Sequence, residues 1–400
     1  MGKLCYDMLH RGDTVKLLFT LLCIFLLTGC GSSDPVPETT APETVPETTV
    51  AETVPETLPP ETVPVDPIRQ MMDNMSLEER VGQLFLARCD DSVALEHIGT
   101  YHLGGYILFG RDFNNQTPES FRAKIRGYQE VAKLPMLIAV DEEGGTVTRV
   151  SSNPAFRQQK FSSPRALYKG GGMDWVLYED AERNALLASL GINVNLAPVC
   201  DITTDPNAFM YSRSLGQDAD ITSDFVRQVV QQMDAGNIGS CLKHFPGYGN
   251  NADTHTGIAV DCRSLAELEG WDLKPFAAGI EAGCDAILVS HTIVEALDPA
   301  LPASLSPAVH EYLRNTMGFE GVIVTDDLVM QAITDAYGAG EAAVRAVLAG
   351  NDLLCSTEYM VQYEAVLAAV LEGRISIDTL NNAVRNVLEW KQSLGLILVG

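Results

Sequence analysis

Eight short apolar runs, each followed by enough chain for a helix, most limit what this sequence can fold into. They are Gln83–Ala87, Gly105–Phe109, Met136–Val140, Ile192–Ala197, Ser240–Lys243, Ala286–Ser290, Val322–Thr325 and Asp352–Cys355. Each is bounded by polar or glycine residues, as expected of parallel strands buried on both faces. Helical patterns separate or follow them, for example Asp180 to Leu190, Ser264 to Ala282 and Asp378 to Ser393. A capping-box spacing from Ser76 to Glu79 marks an early helix. Eight strand–helix units in one chain predict an α/β fold, a single closed (β/α)8 barrel. An open doubly wound sheet is the alternative, but no glycine-rich phosphate fingerprint supports it. Hydrophobic residues make up 46% of the chain, enough for one large core.

The barrel is expected over 67–400, and what precedes it is of another kind. In residues 1–29, Lys3, Arg11 and Lys16 precede an apolar run from Leu17 to Leu27. That run is short for a bilayer span and reads as an export signal. It ends in Leu27-Thr28-Gly29-Cys30, which resembles the lipobox of bacterial lipoproteins. The resemblance implies cleavage before Cys30 and a lipid on its sulfur. The mature protein is then expected outside the cytoplasm, held to the cell membrane. Residues 30–66 form the tether, with Pro-Glu-Thr at Pro37, Pro42, Pro46, Pro55 and Pro60 and no lysine or arginine. Proline stiffness and glutamate repulsion predict an extended, disordered spacer. The whole chain carries a net charge of -26, which repels phosphate backbones, so no nucleic-acid partner is expected. A monomer is expected.

Of nine cysteines, Cys5 and Cys23 leave with the signal and Cys30 is the lipidation candidate. Cys89, Cys200, Cys241, Cys262, Cys284 and Cys355 show no Cys-x-x-Cys spacing and read as small core residues. No His/Cys/carboxylate set has ligand spacing, so neither a metal nor an organic cofactor is expected.

Polar residues gather just after the C-terminal ends of the expected strands, the rim where a barrel carries its chemistry. Asp141 follows the third run, Asp201 the fourth, Lys243 and His244 the fifth, His291 the sixth, and Asp326 and Asp327 the seventh. Three rim segments are Asp141-Glu142-Glu143-Gly144-Gly145-Thr146-Val147-Thr148-Arg149, Lys243-His244-Phe245-Pro246-Gly247-Tyr248-Gly249 with Asp253-Thr254-His255, and Val324-Thr325-Asp326-Asp327-Leu328-Val329-Met330. Together with Arg213-Ser214-Leu215-Gly216 they resemble glycoside hydrolase family three, in its single-domain β-N-acetylglucosaminidase branch. The resemblance runs from about Asp66 to the C-terminus.

It implies a retaining exo-β-N-acetylglucosaminidase that acts on terminal β-linked GlcNAc of cell-wall or related glycans. Asp326 matches the nucleophile, which forms a covalent glycosyl-enzyme. By local reading, Asp327 better suits a helix N-cap. His255 paired with Asp253 matches the acid/base dyad, the carboxylate fixing the imidazole tautomer. The Gly- and Asn-rich stretch Pro246–Gly257 is expected to carry that dyad on a mobile loop. Asp141, Arg149, Arg213, Lys243 and His244 match sugar-holding positions, where charged groups suit vicinal hydroxyls. The competing reading for each is a structural ion pair in the barrel mouth, and sugar binding is preferred, most for Asp141, Arg149 and Lys243. His291 has no matched role. Thr146 and Tyr248 depart from the family pattern and leave fine substrate preference open. A β-glucosidase of the same family and a non-catalytic sugar-binding lipoprotein are the competing readings. The first is expected to need a second domain, for which little chain follows the helix Asp378 to Ser393, and the second predicts loss of Asp326, Asp253 or His255.

Overall fold

The computed structural model describes residues 66–249 and 259–398. The expected signal, Cys30 and the tether before Asp66 lie outside the described residues. All eight expected strands form, with ends shifted by one or two residues. They are β1 (Phe85–Arg88), β2 (Gly105–Leu108), β3 (Leu137–Val140), β4 (Val194–Asn195), β5 (Gly239–Phe245), β6 (Ala286–Val289), β7 (Val322–Thr325) and β8 (Leu354–Ser356). Neighbours pair in parallel in chain order, and β8 pairs back onto β1. A parallel bridge from Val324 to Leu353 closes the ring between β7 and β8. The architecture is a (β/α)8 barrel.

Period-two alternation divides each strand between two cores. Leu86, Ile107, Leu137, Ala139, Val194, Cys241, Ala286, Leu288, Val322 and Val324 fill the barrel interior. Their neighbours Phe85, Tyr106, Ile138, Leu242, Ile287 and Ile323 face the surrounding helices. The helix Ile377–Ser393 closes the floor, sending Val387 and Trp390 into the interior cluster. Gly239 suits this close approach, since a Cβ would sit a tight 3.0 Å from the Trp390 indole.

Helix starts follow the sequence signals. Ser76 and Glu79 make the expected reciprocal capping box before Leu77–Gln83. Asp218 and Ser376 cap Ala219–Ala235 and Ile377–Ser393. The helix expected from Ser264 to Ala282 is broken into Leu265–Gly270 and Leu273–Glu281. Asp272, at the break, turns inward to an ion pair with Arg263. Burial nevertheless pushes its carboxyl up to about 6. The expected helix Asp180–Leu190 is the last part of a longer one, Pro164–Ser189, kinked at Gly171 and Gly172. Five of the six barrel cysteines are buried as expected, whereas Cys262 is exposed.

Candidate active site

The inward parity of the strands predicts which side chains meet above the interior core. Continuing Leu86, Ile107, Ala139, Cys241 and Val324 by two positions gives Arg88, Phe109, Asp141, Lys243 and Asp326. All five line one cavity of about 620 Å³, with Leu196, Leu288 and Cys355 also in its wall. Register shifts between Leu242 and Phe245, so adjacent Lys243 and His244 both reach the cavity. Arg149, Arg213, Phe209, Tyr248, Asp327 and Met330 complete most of the wall. Asp141, Arg149, Arg213, Lys243, His244 and Asp326 are therefore brought together. Asp253 and His255 lie outside the described residues.

The loop after β3 is fixed by Glu142, a buried carboxylate that accepts from the backbone of Arg149 and Val150, both at 2.7 Å, and from the Ser151 hydroxyl. Asn195 at the end of β4 clamps it further, exchanging hydrogen bonds of 2.9 and 3.1 Å with the Glu142 backbone. Gly144 has φ +95°, and a Cβ there would lie 2.1 Å from the Ser162 carbonyl. Only glycine fits both conditions, which explains why glycine follows the two glutamates.

On the β3–β5 side of the mouth every charge has a partner. Lys243 Nζ lies 2.7 Å from both Asp141 and Glu143. Arg213 grips Glu143 through two bonds of 2.9 and 2.6 Å, and Arg149 reaches Asp141 at 3.4 Å. Burial alone would raise the carboxyls of Asp141 and Glu143. Lys243 with Arg149 at the first, and Lys243 with Arg213 at the second, outweigh it and hold both below their ordinary values. Burial would likewise discharge Lys243, but the two carboxylates raise it. The sugar-holding and ion-pair readings of these residues are thus compatible, since the paired groups also line the cavity.

His244 Nδ1 lies 2.8 Å from buried Asp201, while Arg213 donates to Nε2 at 3.2 Å. Guanidinium only donates, so Nε2 accepts and the proton sits on Nδ1 facing Asp201. Asp201 also accepts from the backbone of His244 and Tyr248. Glu143 and Asp201 are network residues to which the sequence alone assigns no role. Glu143 stands inside a rim motif and Asp201 follows the fourth apolar run, and those positions were their only signal.

The two aspartates after β7 are held differently. The Asp327 carboxylate accepts from the Thr357 hydroxyl at 2.6 Å and from the amides of Thr357 and Val329. It staples the loop to the end of β8, and the helix Gln331–Tyr337 starts later, so the N-cap expectation is replaced by a tie between strands. Burial raises the Asp327 carboxyl. Asp326 accepts from the adjacent Asp327 amide at 2.9 Å, the single hydrogen bond to its carboxylate among the described residues. His291, fully buried, hydrogen-bonds the Asp327 carbonyl through Nε2 at 3.0 Å and Ser304 through Nδ1 at 2.7 Å. Its role is thus to hold the turn that presents Asp326.

Cys89, Asp91 and Asp112 form a possible metal-ligand group outside the cavity wall. Lys124 and Tyr128 already engage Asp91, and burial pushes the Cys89 thiol up to about 12. A protonated thiol and a matched carboxylate make this a poor cation site.

The family model for the glycosyl hydrolase family 3 N-terminal domain matches residues 76–390. A β-hexosaminidase of Xylella fastidiosa is 33% identical over 314 residues, covering 74% of this chain and 89% of its own. A family 3 β-N-acetylglucosaminidase structure from Paenibacillus sp. superposes with a TM-score of 0.76 at 33% identity, covering 82% of this chain. The match spans 64% of the Paenibacillus protein. A β-N-acetylhexosaminidase structure from Beutenbergia cavernae gives 0.72 at 28% identity, covering 80% of this chain and 99% of that one. The chain belongs to glycosyl hydrolase family 3, in its β-N-acetylglucosaminidase branch.

Proposed function

We propose that this protein is a retaining exo-β-N-acetylglucosaminidase that removes terminal β-linked GlcNAc from cell-wall or related glycans. The observation that carries the reading is the contrast after β7. Asp327 is tied to Thr357, while Asp326 enters the cavity with its carboxylate largely uncommitted. In the first step an Asp326 oxygen bonds to the anomeric carbon as the glycosidic bond breaks, and the departing oxygen takes a proton from His255. In the second, water gives a proton back to His255 and displaces Asp326, restoring both groups. Asp253 orients the imidazole. The paired residues Asp141, Arg149, Lys243, Arg213 and His244 hold the sugar's hydroxyls, their geometry set before substrate arrives.

An activated fluorosugar should leave a stable glycosyl label, and peptide mapping should find it on Asp326. A label on Asp327 would reject the assignment. We also infer a lipid-anchored, extracytoplasmic protein from Leu27-Thr28-Gly29-Cys30. Replacing Cys30 with Ala should move the protein from the membrane fraction to the soluble exported one; an unchanged membrane fraction would reject the anchor.

A further inference from the structure

Arg88 ends β1 and points into the cavity, yet it belongs to none of the pairs described above. Its guanidinium lies 4.5 Å from the centre of the Phe109 ring, the same ring that Arg149 approaches at 5.4 Å. Among the described residues no carboxylate or carbonyl bonds to Arg88, and its Nε is buried without a partner. A guanidinium taken partly out of water normally finds an anion, because an unpaired one loses hydration for nothing in return. Arg149, Lys243 and Arg213, around the same cavity, all do so. Contact with the Phe109 face holds the guanidinium in place and leaves its donors for a group that arrives with the ligand.

We propose that Arg88 forms a subsite for an anionic substituent of the glycan, a carboxylate or phosphate whose two oxygens match the guanidinium fork. The inference rests on the glycosidase reading and extends it from the terminal sugar to the charge that sugar or its neighbour carries. The anion has two possible sources. A lactyl-ether carboxylate would sit on the leaving sugar, and a 6-phosphate would sit on the terminal GlcNAc itself.

The test uses the full chain carrying Asp326→Asn, so that binding is read without turnover. Calorimetry compares GlcNAc linked to N-acetylmuramic acid, the same disaccharide as its methyl ester, and a 6-phospho-GlcNAc glycoside, each with and without Arg88→Met. With one charge-assisted bond lost, the preference for one of the anions over the ester should fall by roughly tenfold or more. Arg88→Lys should keep part of it, having the charge without the fork. Raised salt should erode the preference in protein with native Arg88, a readout that survives if Arg88→Met fails to fold. An equal loss for all three ligands would overturn the subsite and make Arg88 a countercharge for Asp326. An unchanged preference, or one insensitive to salt, would overturn it too. Wild-type release of nitrophenol from the neutral GlcNAc glycoside is measured beside these. Its absence would sink the glycosidase reading while leaving the binding comparison standing.

Discussion

Lys243 at the rim and Lys391 at the floor are both buried lysines, 2% and 0% exposed, and the barrel treats them in opposite ways. Lys243 sits between two carboxylates, which keep it charged against the cost of burial. Among the described residues Lys391 has only the Gln83 side-chain oxygen at 2.6 Å, and burial drags its ammonium down to about 7. One end of the barrel spends carboxylates to hold cations in a fixed array; the other merely tolerates a stray one. The difference separates charge placed for a ligand from charge that packing happens to enclose.

The sharpest division between chemistry and stability should come from Asp326→Asn. It removes a group that holds nothing else together, so turnover of an aryl GlcNAc glycoside should drop by at least roughly 10³-fold. The urea midpoint should stay put. Asp327→Asn should do the reverse in part, lowering the midpoint because its ties to Thr357 weaken. If Asp327→Asn were the more damaging to kcat, the assignment of roles within the pair would have to be exchanged.

Lys243→Met attacks the rim's compensation directly. It leaves Asp141 and Glu143 facing each other without their shared cation, and breaking a buried pair in this way costs about 3–5 kcal/mol. Displaced sugar-binding groups should also reduce kcat/KM by on the order of 10²-fold. Chemical denaturation and steady-state kinetics on the same preparation check both. A variant with wild-type stability would mean that the rim pairs contribute no more than surface ones.

A gentler probe is Glu143→Gln. The Glu143 carboxyl is lowered in the fold, so its contribution is full above the unfolded value near 4.5 and is lost only as pH falls toward the lower folded value. The same sign holds for Asp141. Wild type should therefore lose stability with acid below about pH 4.5, and Glu143→Gln should show a shallower slope there. Melting temperatures taken between pH 3 and 6 decide the matter; parallel curves would remove Glu143 from the account.

How much of this was visible beforehand follows from which physics was local. All eight strands could be read because a strand buried on both faces leaves a short apolar run with polar ends. The same alternation, carried two residues past each strand, also announces Arg88 and Phe109, although no motif includes them. What could not be read was partnership across the barrel. Asp141 and Lys243 are 102 positions apart, and their 2.7 Å contact depends on closure of the whole ring. The break at Asp272 is local instead: Gly270 ends one helix, Pro275 sits in the first turn of the next, and Arg263, nine positions back, holds the Asp272 carboxylate. Asp327 looked like a helix cap because caps are local, whereas its actual partner Thr357 stands just past the end of the next strand.

The smallest effect expected is at the floor, from Lys391→Met. The side chain keeps much of its length and loses its charge, so the burial cost goes while one bond to Gln83 is given up. Gln83 donates its amide hydrogens to the His102 carbonyl at 2.8 Å, which fixes its oxygen toward Lys391 and leaves that oxygen unmatched in the variant. Those two terms oppose each other, the lost bond costing about 1–3 kcal/mol, so the variant should lead near pH 6 only by what the burial cost leaves over. The pH dependence is the more telling quantity. Burial lowers the folded value to about 7, against 10.5 for the ordinary lysine. Between those values the unfolded chain holds a proton that the folded one lacks, and wild-type stability must rise with pH relative to the variant. Below about 7 both states are charged and the difference should be flat. Above 10.5 neither is charged, and the variant should be the less stable because only the lost bond remains. Denaturation of both proteins from pH 6 to 10 should thus show the variant ahead at first and then overtaken. A constant offset across that range would mean that Lys391 keeps its proton in the fold, and the contrast with Lys243 would collapse.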